Sequence, residues 1–314
     1  MAHTFEFVAR LARLRAPRLA ALVFAFAACD TNDPLSPDNS TPTDLGVETA
    51  TVTEPAFAAV RFAGGIPIGH MGVQPISAFG SAFNGAKMTI APGELLKYLS
   101  AIKARGGKVV LMFAGTDHYY KDRRGFNMTK WKARIDRFKN INFSSYISDG
   151  TIIGHFLVDE PNDSKNWYGK TISPATLDDM ARYSKQRWPK MATIVRVEPG
   201  YFKSRRPQVV DAAWAQYVTR KGTAAAYIKR NVADAQRVGL ALVVGLNISK
   251  GGPNRRRMTP NEVKAFGSAL LSSSYPCAFL SWQYESFLTS PSMMVAMKTL
   301  RSRAQARSSK NCHS

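Results

Sequence analysis

Short apolar runs rich in β-branched residues alternate six times with longer amphipathic stretches, and this alternation limits the fold more than any other feature of the chain. The runs fall at 66–70, 108–114, 152–158, 193–197, 212–217, 241–246 and 278–284. Each is as long as a strand buried on both faces. Between them, 92–105, 129–139, 174–188, 223–238, 260–273 and 292–307 carry helical periodicity. Ser173-Pro174 and Thr259-Pro260 place a capping hydroxyl before a proline at the first helical position, while Gly106-Gly107 and Gly239 stop helices just ahead of strands. No hairpin signal separates successive strands, so the pattern implies parallel pairing through helical crossovers.

About 255 residues take part, the usual size of one (β/α)8 barrel, and a single-domain α/β TIM barrel over 57–314 is the expected fold. The eighth strand has two candidate positions, 57–62 or the segment 77–88. A doubly wound open sheet would need a glycine-rich phosphate turn after its first strand, and neither Gly64-Gly65 nor Gly69-x-x-Gly72 makes one.

The first 28 residues read as an export signal: Arg10, Arg13, Arg15 and Arg18 precede an apolar run too short to span a bilayer. It closes in Phe26-Ala27-Ala28-Cys29, similar to a lipobox, with Cys29 as the lipidated residue; cleavage by ordinary signal peptidase nearby is the alternative. Either route exports the chain, as a lipid-anchored envelope protein or a free secreted one, touching membrane only through the anchor. Residues 29–56, rich in Ser, Thr, Pro and acids, have the composition of a disordered tether. The leader holds four arginines and one glutamate, and the tether holds six acids. The barrel segment keeps 39 Lys plus Arg against 15 Asp plus Glu, about +24 where the whole chain is +21.

Such a field attracts anionic surfaces or polymers of the envelope. Without a nucleic-acid motif, and with an export signal, nucleic acid is not an expected partner. Cys277 and Cys312 are the cysteines left beyond Cys29. An oxidising compartment permits their pairing, which geometry favours if the last helix returns antiparallel to the strand beginning near Cys277. No metal or cofactor is expected, because no Cys/His spacing pattern or nucleotide signature is present. His155, inside an apolar run, reads as a core or lumen histidine. A monomer is expected.

Chemistry in this fold sits at the C-terminal strand ends. The segment Thr151 to Asp163, TIIGHFLVDEPND, ends a buried strand in Asp159 and Glu160, and Pro161 stops it. The other strand ends bring His70; His118 and Tyr119; Arg196 and Glu198; Trp214, Gln216 and Tyr217; Asn247; and Trp282 and Tyr284, followed by Glu285. Rings beside carboxylates and amides suit a carbohydrate, whose pyranose faces pack on aromatics while its hydroxyls take hydrogen bonds.

FLVDEP resembles the fourth-strand signature of the retaining TIM-barrel glycoside hydrolases, in which Asn-Glu-Pro supplies the acid/base glutamate. Trp282 resembles their sugar-stacking tryptophan. The resemblance implies that Glu160 is the proton donor, with Asp159 in place of the asparagine. An ionised Asp cannot donate a hydrogen bond to a sugar hydroxyl as Asn does. The family's nucleophile is a glutamate on the seventh strand; here the nearest candidates are Glu285 after the last strand and Glu198 after the fifth-strand run.

Glycoside hydrolysis needs two carboxyls flanking one bond, roughly 5 Å apart for retention and 6.5–9.5 Å for inversion. Adjacent residues that diverge at a strand end cannot supply both. Glu160 as general acid with Glu285 as nucleophile or base is the favoured pairing, with Glu198 as the alternative. Glu198-Pro199-Gly200 also reads as a simple turn, and Glu285 as a cap on the final helix. Two other functions fit the same residues. One is a non-catalytic barrel that binds glycan; the other is a basic envelope lipoprotein whose segments 121–124, 203–206 and 255–257 dock anionic lipid or polymer.

Overall fold

The computed structural model describes residues 65–80 and 82–313. The leader, the tether with Cys29, and the strand candidate at 57–62 lie outside the described residues. Eight parallel strands close into a barrel: β1 Ile68–Met71, β2 Gly85–Met88, β3 Lys108–Leu111, β4 Ile152–Asp159, β5 Thr193–Arg196, β6 Ala212–Tyr217, β7 Ala241–Leu246 and β8 Ala278–Ser281. β8 pairs with β1 to complete the ring. The eighth strand is therefore β2, the second of the two candidate positions.

Its sequence, Gly85-Ala86-Lys87-Met88, is short and small because the β1–β2 seam is tight. A Cβ at Gly69 would lie 1.7 Å from the carbonyl oxygen of Gly85, so no side chain fits there. Helices α1 Leu95–Ala104, α2 Met128–Asp136, α3 Ser144–Ser148, α4 Pro174–Arg187, α5 Ala224–Val238, α6 Pro260–Leu270 and α7 Pro291–Gln305 surround the barrel. Their starts carry the hydroxyl caps read from the sequence. Ser173 accepts from the Thr176 N–H, and Thr259 and Glu262 form a reciprocal capping box.

Period-two alternation divides the strand residues between two surroundings. Met71, Val110, Met112, Phe156, Ile194, Trp214, Val243 and Leu280 fill the lumen. Val109, Leu111, Val195 and Ala213 face the helix layer on one side, and Ala215, Tyr217, Val244 and Leu246 face it on the other. The lumen is a packed core, as expected of eight strands.

Two departures from the expected pattern lie between β3 and β4. The helix expected at 129–139 ends at Asp136, and the short α3 follows it. Before α2, Lys121–Asp122 pairs antiparallel with Gly125–Phe126, although no hairpin signal was apparent. The Asp122 carboxylate accepts from the Arg124 N–H, and Gly125 takes a left-handed φ of +99°, so the turn chemistry rests on one side chain and one glycine.

At the opposite mouth, Cys277 and Cys312 form a disulfide that joins the lumen cluster from below. α7 does return to the level where β8 begins, and the tail after it closes the stable face. His313 follows, with its ring 3.7 Å from the carboxylate of Asp211. Asp211 also accepts from the backbone and hydroxyl of Thr193 and from Lys185. Among the described residues no helix is long and apolar enough to cross a membrane.

Candidate active site

β4 carries the site, and a change of phase within it decides which way its acids point. Phe156 lies in the lumen against Trp214. Strict alternation would then turn Val158 inward and Asp159 outward. Instead the pairing with β5 shifts between Phe156 and Val158, so Leu157 is an extra residue, Val158 joins the helix-facing core and Asp159 pairs beside Arg196. One inserted residue therefore re-aims the terminal carboxylate toward the barrel mouth. The displaced Leu157 carbonyl is not lost, because it accepts from the indole N–H of buried Trp131 at 3.0 Å.

Glu160 follows with φ +41°, a left-handed conformation unusual for a residue with a side chain. Both ends of the residue are held. Its N–H donates to the Arg196 carbonyl, and its own carbonyl accepts from the Asp163 N–H and from the Trp167 indole. Such strain persists only where the surroundings over-determine it, and it clusters at functional sites.

Arg196, at the end of β5, is the hub. Its guanidinium pairs with Asp159 through Nε and with Glu160 Oε1 through Nη2 at 3.0 Å, and it donates from Nη1 to Gln216 Oε1 at 2.6 Å. It also lies 5.4 Å from the ring centre of Trp282. Arg196 is only 8 % exposed, so this buried cation is compensated on every side.

A cleft of about 380 Å³ opens beyond the ends of β4 to β7, and both Glu160 and Glu198 line it. Glu198 is held by Lys221 and, at 3.7 Å, by Arg230. Trp214, Gln216 and Asn247 contribute to its floor. Glu285 does not line this cleft; the Ser249 hydroxyl donates to its Oε1 at 2.5 Å. The end of β7, where the resemblance asks for a glutamate, carries Asn247, whose side-chain oxygen accepts from the Lys250 N–H.

The remaining expected site residues are dispersed. His70 is fully buried, edge-on to Phe83, and alternation turns it toward the helix layer while its neighbour Met71 faces the lumen. Burial pushes its imidazole down to about 3, so the ring is neutral. Tyr284 packs at the same place, against Phe83. Tyr217 also points outward, donating to the Gly222 carbonyl and packing on Tyr227 and Phe266, because its neighbour Gln216 takes the inward position. His118 and Tyr119 are exposed on a 3-10 turn, with the Arg134 guanidinium 3.9 Å from the Tyr119 ring centre. His155 is a core histidine on the helix side, bonded to Ser184 at 2.8 Å and lowered to about 3 by burial.

Sequence reasoning missed Lys87. In β2 it aligns with inward-facing Met71 and Val110, and its ammonium lies 5.2 Å from the Phe156 ring centre. Burial lowers it to about 8 from an ordinary 10.5; the Asp159 charge opposes this shift and Arg196 adds to it. Its signal was available as the one charge in an otherwise small apolar strand. Tyr120, buried beside the same acids, has its phenol pushed well up by burial and then by Asp117 and Asp159.

The Lys87 shift has a consequence for stability. Below pH 8 both the folded and unfolded chains hold this proton, and the fold bears the cost of a half-buried charge. Between about 8 and 10.5 the unfolded chain holds more protons, so stability rises with pH. The expected gain is about 3 kcal/mol, at 1.36 kcal/mol per pKa unit. Lys87→Met should stabilise the protein at pH 7 by about 1–3 kcal/mol and abolish that rise. Urea midpoints for both proteins from pH 7 to 10.5 would test it, and parallel curves would disprove the assignment.

Among the described residues no three His, Cys, Asp or Glu side chains are close enough to hold a metal ion. No family model and no curated protein matches the sequence. Solved structures do match. One is a glucosidase from Croceicoccus marinus, 11% identical, covering 77% of this chain and 69% of its own, at a TM-score of 0.53. Another is a candidate glycoside hydrolase from Parabacteroides distasonis, 11% identical, covering 79% and 95%, at 0.50. The closed parallel barrel is thus a fold shared with TIM-barrel glycoside hydrolases.

Proposed function

We propose that this protein is an exported glycoside hydrolase acting on a polysaccharide, with Glu160 as proton donor and Glu198 as the second carboxylate. One observation carries the proposal: two glutamates from the ends of neighbouring strands line one open cleft at the functional mouth of the barrel. Glu198 takes the place that sequence reasoning preferred to give Glu285, because Glu285 is bonded to Ser249 outside that cleft.

In this reading Glu160 leaves its contact with Arg196, takes up a proton from solvent once it is free of the guanidinium, and passes that proton to the glycosidic oxygen as the leaving alcohol departs. Arg196 remains anchored by Asp159 and Gln216, so the site keeps its shape when Glu160 moves. Lys221 and Arg230 fix the Glu198 carboxylate, which acts on the anomeric carbon directly or through water. Trp282 lies beside Arg196 and is not among the residues that line the cleft. Export belongs to the same proposal and rests on the leader and tether. The Cys277–Cys312 disulfide suits an oxidising compartment.

A second reading is favoured by the pairing itself. Asp159 and Glu160 share one guanidinium and Glu198 is tied to Lys221, which suits a glycan-binding barrel without turnover. Reducing-end release from a panel of neutral and charged polysaccharides separates the two. Release that disappears in Glu160→Gln supports the hydrolase; glycan binding with no release at any pH supports the binder.

A further inference from the structure

We infer that the outer wall of this cleft is a subsite for an anionic sugar, so that the substrate class is a glycan bearing a carboxylate or sulfate rather than a neutral one. The inference rests on the hydrolase reading for its word substrate, but its physical basis is separate. Five cations and three carboxylates line the cleft. Three of those cations are already spent within the fold. Arg196 holds Asp159 and Glu160, while Lys221 and Arg230 hold Glu198.

Lys203 and Arg220 differ. They come from two separate 3-10 turns, Pro199–Ser204 after β5 and Thr219–Lys221 after β6, and both turns face the same space. Both side chains are exposed, and among the described residues neither has a hydrogen-bond or ion-pair partner. Every other strongly charged group of the cleft is balanced by the protein, so these two leave a local excess of positive charge at the mouth.

That excess is the complement of a ligand carrying anions at its periphery and hydroxyls at its centre. A guanidinium takes a planar carboxylate or sulfate through two parallel bonds, and an ammonium takes it as a point charge. A neutral glycan would leave both cations uncompensated. The scale is also right: a cleft of about 380 Å³ lies within the usual range for small-ligand sites. Two extra cations suit a sugar chain with one charge per residue better than a densely charged polymer, since the cleft offers only these two uncommitted charges.

The test is a binding titration that needs no turnover, using the full chain carrying Glu160→Gln. Three probes are compared: tri-galacturonate, its uncharged methyl ester and a sulfated trisaccharide. At least one charged probe should bind tenfold or more tightly than the ester. Lys203→Ala/Arg220→Ala should remove about ten- to a hundredfold of that difference, roughly a tenfold loss per charge-assisted contact. Which charged probe responds identifies the anion as carboxylate or sulfate.

A control pair that does not line the cleft, Arg123→Ala/Arg303→Ala, on the turn before α2 and on α7, should change little. Equal affinity for ester and acid would overturn the inference. So would an undiminished preference in the Lys203/Arg220 variant, or an equal loss in the control pair, since the attraction would then belong to the domain's overall charge. Failure of the hydrolase reading looks different: no polysaccharide is cleaved, yet the charged probe still binds in a Lys203- and Arg220-dependent way. Cleavage of neutral glycans alone gives the converse, a hydrolase without this subsite.

Discussion

Glu160→Gln is expected to lower kcat/KM on a natural glycan by about 10²–10⁴, the usual contribution of a positioned general acid. The same variant should lose far less on an aryl glycoside whose leaving group is a weak base, because such a group departs without protonation. Glu198→Gln should lose activity on both substrates, since attack at the anomeric carbon is required whatever the leaving group. The change at Glu160 is nearly isosteric. The amide oxygen still accepts from Arg196, and the backbone bonds that hold φ at +41° are untouched. A loss that is the same for good and poor leaving groups would remove Glu160 from the role of proton donor. Retained activity in Glu198→Gln beside a dead Glu285→Gln would return the partnership to Glu285.

Breaking the Cys277–Cys312 bond is expected to cost about 3–4 kcal/mol, the chain-entropy value for a sequence separation of 35 residues. For a domain of this size that lowers the melting temperature by about 6–8 °C. Both sulfurs are buried at the base of the lumen, among Ala192, Ile194, Ala212 and Ala278. Release of the tail would therefore also open an apolar surface and free Asp211 from His313. Thermal melts of the wild type with and without reductant, and of Cys277→Ala/Cys312→Ala, give the answer. Unchanged midpoints would mean that the tail is held by packing alone.

The fold was readable because it is written in local signals. Helix starts at Ser173-Pro174 and Thr259-Pro260 and seven of the eight strands follow from propensity, caps and burial periodicity, each read within a few residues. β2 was ambiguous for a physical reason. A seam that brings Gly69 against Gly85 demands small residues, and small residues carry little strand signal. The DEP acids were legible as a strand that stops in charge. Their orientation was not, since strict alternation from Phe156 would point Asp159 the wrong way.

Which residues meet was legible only where alternation is unbroken and the partner is near in sequence. Tyr217 and His70 were grouped with the site because they lie at strand ends, yet each faces the helix layer because its neighbour takes the inward position. Arg196 was noticed as one of several polar residues. Its role as the joint partner of Asp159, Glu160 and Gln216 depends on β4, β5 and β6 lying side by side in one register.

By itself the sequence determined a parallel eight-stranded α/β barrel and the acids that end β4 at the C-terminal mouth, because hydrophobic period, capping and chain breaking act over a few residues. Only the tertiary structure decided that one extra residue turns Asp159 inward, that Arg196 ties both acids, that Lys87 sits half-buried near them and that Glu198 rather than Glu285 shares the cleft with Glu160. Those outcomes come from register and closure, which bring together residues separated by tens of positions along the chain, and no local pattern encodes that distance.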